Sequence, residues 1–280
     1  MAAEPPADPD RPVILINPRA SFAETLDDIV RAAKAWRAWL LLAWFQVKHS
    51  YRGSILGPFW ITITMGVFVF GVGILYSQVF GADPSGYVPW LASGFVVWNL
   101  ISGMINEGAN VYAGSAGFST EMRLPYTFFS LQLGAKHLIT FLHNVLVIVA
   151  VALIFGLPVG LRTLLFLPGL VLILFAGVWV SIILGLISVR FRDVPNIIQS
   201  LVQMSFFLTP IIWQPAQVEG RMFVVTWNPF YHFIELVRAP LLGYFPTVLN
   251  YTVALGVCAV SAVLAVLLFK RYRNRIPYWI

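Results

Sequence analysis

Cysteine is nearly missing from this 280-residue chain: Cys258 is the only one, so a disulfide framework within one copy and a cysteine-rich metal site are both excluded. Acids are scarce and misplaced. Of twelve, six (Glu4, Asp8, Asp10, Glu24, Asp27, Asp28) fall in the first 28 residues, and the rest of the chain holds only Asp83, Glu107, Glu121, Asp193, Glu219 and Glu235. The sequence contains no G-x-x-x-x-G-K-[ST] loop and no Gly-Lys dipeptide, so nothing in it cradles a nucleotide phosphate in the usual way. The four histidines (His49, His137, His143, His232) never stand at i, i+4 spacing, which gives little support to metal or acid–base chemistry.

What is abundant is apolar. Hydrophobic residues make up 59% of the chain and charged ones 11%. A soluble domain of this length would have to hide nearly every side chain to bury that much apolar surface, which surface-to-volume scaling forbids. Long uncharged stretches lie at 53–82, 84–106, 138–161, 163–189, 194–218 and 239–269. Since roughly 20 apolar residues cross a hydrocarbon core of about 30 Å, the stretches predict six transmembrane helices near 58–80, 88–110, 136–156, 164–188, 196–213 and 248–269. The expected fold is an all-α integral membrane protein.

Lys and Arg set the orientation. With the N-terminus inside, fifteen of the eighteen fall on the cytoplasmic side and only Arg162, Arg221 and Arg238 outside. Both termini are therefore expected in the cytoplasm. The same rule accounts for the net charge of +6 without nucleic acid, since no basic stripe occurs on a soluble module. The opening MAAEPPADPDRP has no basic n-region and no apolar core, so it is not expected to be a cleavable leader. Its residues 1–20 carry five prolines and read as a disordered cytoplasmic tail.

Residues 21–50 predict an amphipathic interfacial helix. Ser21 and Glu24 form a capping box. Phe22, Leu26, Ile29, Ala33, Trp36 and Leu40 recur at helical spacing, with Asp27, Asp28, Arg31, Lys34 and Arg37 on the other face. Such a helix lies in the headgroup plane of membrane lipids or packs on a soluble partner.

Within the spans, the deep positions hold no Asp, Glu, Lys or Arg, and Glu107 sits at the cytoplasmic end of the second. A proton or ion relay would need such groups, so the energy is expected from elsewhere. Asn99, Gly103, Asn106 and Asn110 share one stripe of the second span, facing either a neighbouring helix or a water-accessible passage. His137, Thr140 and Asn144 share a face of the third. Gly177, Ser181 and Gly185 repeat every four residues in the fourth and predict close helix packing. Trp60, Trp90, Trp213, Trp227 and Trp279 suit the two interfacial belts, while Phe68, Phe70, Trp98 and Trp179 lie deeper. The deep rings either fill the core or offer apolar planes to sugars. Residues 214–247, too short in their apolar pieces to span, read as re-entrant helices that close a pathway or as a lid over the bundle, and Glu235 and Arg238 at i, i+3 are placed to pair. The short charged connections 114–133 and 190–195 are candidate docking points for an external motor or plain solvated loops.

Five segments in register carry a resemblance. Tyr51-Arg52-Gly53-Ser54-Ile55-Leu56-Gly57-Pro58-Phe59-Trp60, Glu121-Met122-Arg123-Leu124-Pro125, Arg190-Phe191-Arg192-Asp193-Val194, Thr209-Pro210-Ile211-Ile212-Trp213, and Asn228-Pro229-Phe230-Tyr231 with Arg238 resemble the permeases of ABC-2 type polysaccharide and polyol-phosphate exporters. The chain departs from that pattern at His49-Ser50, where the family more usually carries acidic or basic residues. The resemblance implies a transmembrane domain over 51–275 followed by a short cytoplasmic end at 276–280. It implies a homodimer served by two copies of a separate ATPase, which holds the ATP and Mg, with no cofactor in this chain. The cargo implied is a lipid-linked glycan such as O-antigen or capsule, moved across the inner membrane. It assigns ATPase coupling to Glu121, Arg123, Leu124, Pro125, Arg190, Arg192 and Asp193, and interfacial entry to Tyr51, Arg52 and Gly53. An external gate would include Asn228, Pro229, Tyr231, Glu235 and Arg238. Trp98, Asn99, Asn106, Asn110 and Phe68 are the candidate pathway residues. Exporters of a drug, heme or small lipid share the same class, and a membrane-embedded transferase would need paired acids or a histidine at one membrane face.

Overall fold

The computed structural model describes residues 21–115, 124–158, 160–217 and 222–279. The capping box forms as the sequence predicts: Glu24 N donates to Ser21 Oγ (3.1 Å) and Ser21 N to Glu24 Oε2 (2.8 Å). They start α1 (Phe22–Lys34). The helix expected over 21–50 is broken at Ala35 (φ −81°, ψ 27°), and α2 (Trp36–Ser50) follows. Gly53 (φ 85°) and Gly57 (φ 54°) then turn the chain in the left-handed region that favours glycine, and α3 (Phe59–Val79) begins. Asp83 accepts from Ser85 N (3.1 Å) ahead of Pro84, a cap and first-turn proline that set the start of α4 (Pro84–Gly108). The bonds from Ser85, side chain first, also hold the Asp83 carboxyl below its ordinary range.

Helix α5 (Tyr126–Phe155) starts ten residues upstream of the expected span and ends on Gly156 at φ 68°. Then come α6 (Phe166–Arg190, preceded by a 3-10 turn at Leu161–Leu165), α7 (Val194–Leu208), the short α8 (Met222–Thr226), α9 (Pro229–Leu241), α10 (Val248–Tyr272) and α11 (Ile276–Trp279). Among the described residues five helices are long and apolar enough to cross a membrane: α3, α4, α5, α6 with its leading turn, and α10 with its trailing residues. The fifth of the six expected spans, 196–213, corresponds to α7, whose 15 residues rise only about 22 Å. It stops at Thr209 (φ −90°, ψ 134°) because the next residue is Pro210, and the residue before a proline avoids helical backbone.

The second span occupies the middle of the bundle. α4 packs against α3, α5, α6, α7 and α9, and two thirds of its most apolar stretch is buried, against 17% for α3. The small-residue stripe on α6 makes the close approach: a Cβ on Gly177 would come within 2.5 Å of Met104, and one on Gly185 within 2.6 Å of Val111. On α4 itself, a Cβ at Gly108 would lie 2.8 Å from that of Ser181. α10 packs against α6 and α9.

Contacts between distant residues fix the ends. At one end Asp28 of α1 meets Thr127 of α5 and Arg273 beyond α10, Tyr272 stacks near Trp279 (5.8 Å), and the Arg190 guanidinium stands 5.6 Å from the Trp279 ring. At the other end a Cβ on Gly169 would press on Leu236, one on Gly243 on Pro158, and the Tyr87 hydroxyl donates to the Ile212 carbonyl. Between Arg190 and Ile212 the chain therefore travels from one end of the bundle to the other, and α7 is the element that carries it.

One assignment is corrected. Asp28 does not lie on a solvated face of the first helix: it is fully buried, accepting from Thr127 Oγ1 (2.6 Å), Thr127 N (3.1 Å) and Arg273 Nε (3.1 Å). The packed face of α1 is Thr25, Asp28 and Ala32, whereas Phe22, Leu26 and Val30 form an exposed apolar stripe.

Candidate functional site: polar cavities and a closed opposite end

Two open cavities, about 880 and 710 Å³, run into the bundle from the end where α1 and Arg273 meet. They share Ser50, Asn106, Glu107 and Lys136. The first is walled by α2, the end of α4, the first turns of α5 and the start of α7, with Asn110, Gln132, Asn196 and Gln199 contributing amides. The second continues deeper between α3, α4 and α5 to Asn99, Phe68, Thr140 and Asn144. Where they meet, Lys136 Nζ donates to Glu107 Oε2 (2.6 Å), and His137 Nε2 lies 3.5 Å from the same oxygen.

The polar stripe predicted on the second span thus lines open space. Asn99, Asn106 and Asn110 are all in the walls, and Asn144 reaches Asn99 at 3.4 Å. Gly103 faces His137 so closely that a Cβ there would come within 2.5 Å of the ring. Of the two aromatic candidates, Phe68 lines the deeper cavity, edge-on to Phe95 at 4.5 Å. Trp98 is in neither wall. It is 7% exposed and packs between Phe206 of α7 (5.8 Å) and Phe230 of α9 (5.5 Å).

The opposite end is closed by α9. Arg238 is fully buried, its Nη1 donating to Glu235 Oε1 (3.0 Å) and to the Pro210 carbonyl (2.9 Å), with its guanidinium 3.8 Å from the Trp90 ring centre. Gly94 makes room for that head, since any Cβ there would collide with Arg238 Nη2. Asn228 caps α9 by accepting from Phe230 N (2.9 Å) while its Nδ2 donates to Thr209 Oγ1 (2.9 Å). Tyr231 and Glu235 border a third cavity of about 350 Å³, and Pro229 is the exposed first residue of the helix.

At the entry, Tyr51 closes α2 and lines the deeper cavity, Arg52 is exposed, and Gly53 makes the turn. Arg190, Arg192 and Asp193 are exposed in the turn between α6 and α7. Leu124 and Pro125 lead into α5, and Glu121 and Arg123 lie outside the described residues. Beside this connection Tyr112 is fully buried, edge-on to Tyr126 at 5.8 Å, and burial drives its hydroxyl far above the ordinary tyrosine range.

Sequence reasoning missed Asp28, Gly94, Lys136 and Tyr87. For Asp28 the signal was its i, i+4 place between Glu24 and Ala32, on the small side of the helix rather than beside Lys34. Gly94 and Tyr87 stand in the first half of α4, ahead of the polar stripe, where nearly every position is buried and periodicity carries no direction.

The model of one family, described as "ABC-2 type transporter", matches residues 37–242. The O-antigen export system permease protein RfbA of Myxococcus xanthus is 24% identical over 206 residues, covering 72% of this chain and 79% of its own. A Klebsiella pneumoniae protein of the same name is 21% identical over 208 residues, covering 71% and 79%. With that match covering most of the helical bundle, from α2 to the end of α9, the chain belongs to the ABC-2 type transporter family.

Proposed function

We propose that this chain is the membrane permease subunit of an ABC exporter that carries a lipid-linked O-antigen or similar cell-surface glycan outward across the inner membrane. It works as a homodimer with two copies of a separate ATPase, which alone binds ATP and Mg. The observation that carries this reading is the contrast between the two ends of the bundle. Wide amide-lined cavities open at the end rich in Lys and Arg, and the far end is closed by a fully buried Arg238. Such a shape suits cargo taken from the cytoplasmic side and held back until an outer gate moves.

In this reading α7 makes the sixth crossing, so both ends of the chain are cytoplasmic, and the exposed Phe22, Leu26 and Val30 of α1 rest among lipid headgroups. Amides at 99, 106, 110, 196 and 199 accept and donate to sugar hydroxyls without demanding one sequence of sugars. Exposed Arg192 and Asp193, with the segment 113–125, contact the ATPase, whose nucleotide cycle supplies the energy. This chain performs no chemistry.

Deleting the gene tests it. Lipid-linked glycan should accumulate on the cytoplasmic face, and export should return only when this chain and an ATPase subunit are both supplied. Accumulation of a small lipid or drug in place of glycan would reassign the cargo, and export by this chain without any ATPase would overturn the reading.

A further inference from the structure

The irregular stretch that ends α7 is gripped by other helices at three carbonyls and one hydroxyl. Asn228 Nδ2 reaches the Leu208 carbonyl (3.5 Å) and Thr209 Oγ1 (2.9 Å), Arg238 Nη1 the Pro210 carbonyl (2.9 Å), and the Tyr87 hydroxyl the Ile212 carbonyl. A helix end leaves its last carbonyls unpaired, and a following proline prevents the chain from pairing them by another turn. Here the Phe207 carbonyl accepts from Trp213 Nε1 (3.0 Å), the Leu208 carbonyl is reached from Asn228, and the carbonyls just beyond the helix at Pro210 and Ile212 are held from α9 and α4. Two of the grips come from α9, one at each end of it, so α9 cannot shift without pulling on residues 208–210. Trp98 adds an apolar wedge between the same two helices, through Phe206 and Phe230.

We infer that α7 and α9 move as one lever, with Asn228 and Arg238 as the positioning residues that transmit motion of the cytoplasmic turn at 190–193 to the outer gate. The rod is short and regular, 15 residues from Val194 to Leu208 with Val202 alone among them buried, so little of the bundle restrains it along its length. The joint at its far end is releasable. Arg238 Nε and Nη2 are buried without hydrogen-bond partners, so the closed seat leaves donors unused that another arrangement can satisfy. Gly94 belongs to the joint because only a missing Cβ lets the guanidinium sit against α4.

This inference rests on the exporter reading, and the test separates the two. The full chain, with Cys258→Ala, is assembled with its ATPase in nanodiscs and spin-labelled either at Ile197→Cys, beside the start of α7, or at Trp227→Cys, beside the gate. Both sites are exposed. The distance between the two copies is measured with and without a non-hydrolysable ATP analogue. The unmodified joint should show both distances changing on nucleotide binding. Asn228→Asp keeps an acceptor for Phe230 N but loses the donor to Leu208 and Thr209; Gly94→Ala displaces Arg238. In either variant the Ile197 distance should still change while the Trp227 change is lost, and ATP consumed per glycan exported should rise roughly fivefold. A Trp227 distance that follows nucleotide in both variants as it does without them would overturn the lever, as would export with the Trp227 distance fixed in the unmodified joint. Failure of the ATPase to assemble would instead remove the exporter reading and the lever with it.

Discussion

Asp28 in the first helix and Arg273 just beyond the last long one, 245 positions apart, meet through a 3.1 Å hydrogen bond between Oδ2 and Nε. The same carboxylate accepts from Tyr126 N (3.3 Å) and Thr127 N (3.1 Å), two of the free amides at the start of α5. A negative group there is doubly favoured, by the unpaired donors and by the helix dipole. Asp28 thereby caps α5 from another part of the chain and ties both ends of the polypeptide to one place.

Removing it should be expensive. Asp28→Ala strands two amides and a largely covered guanidinium, and breaking a buried pair typically costs about 3 kcal/mol or more. Asp28→Asn, which keeps one acceptor, should lose less. Thermal unfolding of the full chain in nanodiscs should rank unmodified above Asn above Ala, and equal melting of all three would refute the clasp.

Glycines on the long helices should divide by what they touch. A Cβ at Gly169 would lie 2.8 Å from the backbone carbonyl oxygen of Leu236, which cannot swing aside, so Gly169→Ala should destabilise by about 1–3 kcal/mol by prising α9 from α6. Gly256 has nothing within 4 Å of the same position. There the substitution should be neutral or gain up to about 1 kcal/mol through helix propensity. Melting curves of the two variants check the contrast, which fails if both move in the same direction.

Arg192 is exposed and no packing argument attaches to it, so Arg192→Ala should change stability by less than about 0.5 kcal/mol. Its effect should fall on the partner: insertion and melting stay as they were, while affinity for the ATPase and glycan export both drop. Export and assembly at unmodified levels would take Arg192 out of the coupling surface.

Much of this was legible beforehand because a bilayer writes itself into a sequence as long uncharged runs. α3, α6 and α10 appear within a few residues of the expected spans, and the Gly177, Ser181, Gly185 stripe packs as its spacing requires. The early start of α5 was illegible, since its first turn is held by Asp28, almost a hundred positions upstream. α7 was overextended because 194–218 is uncharged throughout, and only the local geometry before Pro210 ends the helix. Trp98 and Asn99 are adjacent in sequence and lie on different faces of α4, one wedged between α7 and α9, the other on the cavity wall. Helical phase distinguishes their faces but cannot say which neighbour each face meets.

That last pair offers a direct test of the passage. Single cysteines at Asn99, Asn106 and Asn110 in a Cys258→Ala background should react with a small membrane-impermeant maleimide supplied from the cytoplasmic side, since all three line open cavities. A cysteine at Trp98 should stay unreactive, walled off by Phe206 and Phe230. Thiols in lipid react slowly because the thiolate is the nucleophile and forms only where water reaches, so rate reports wetting rather than mere exposure. Reactivity should also fall with depth, Asn110 fastest and Asn99 slowest. Equal, slow labelling at all four positions would mean that the amide stripe is covered in the membrane, and the passage would then have to run elsewhere.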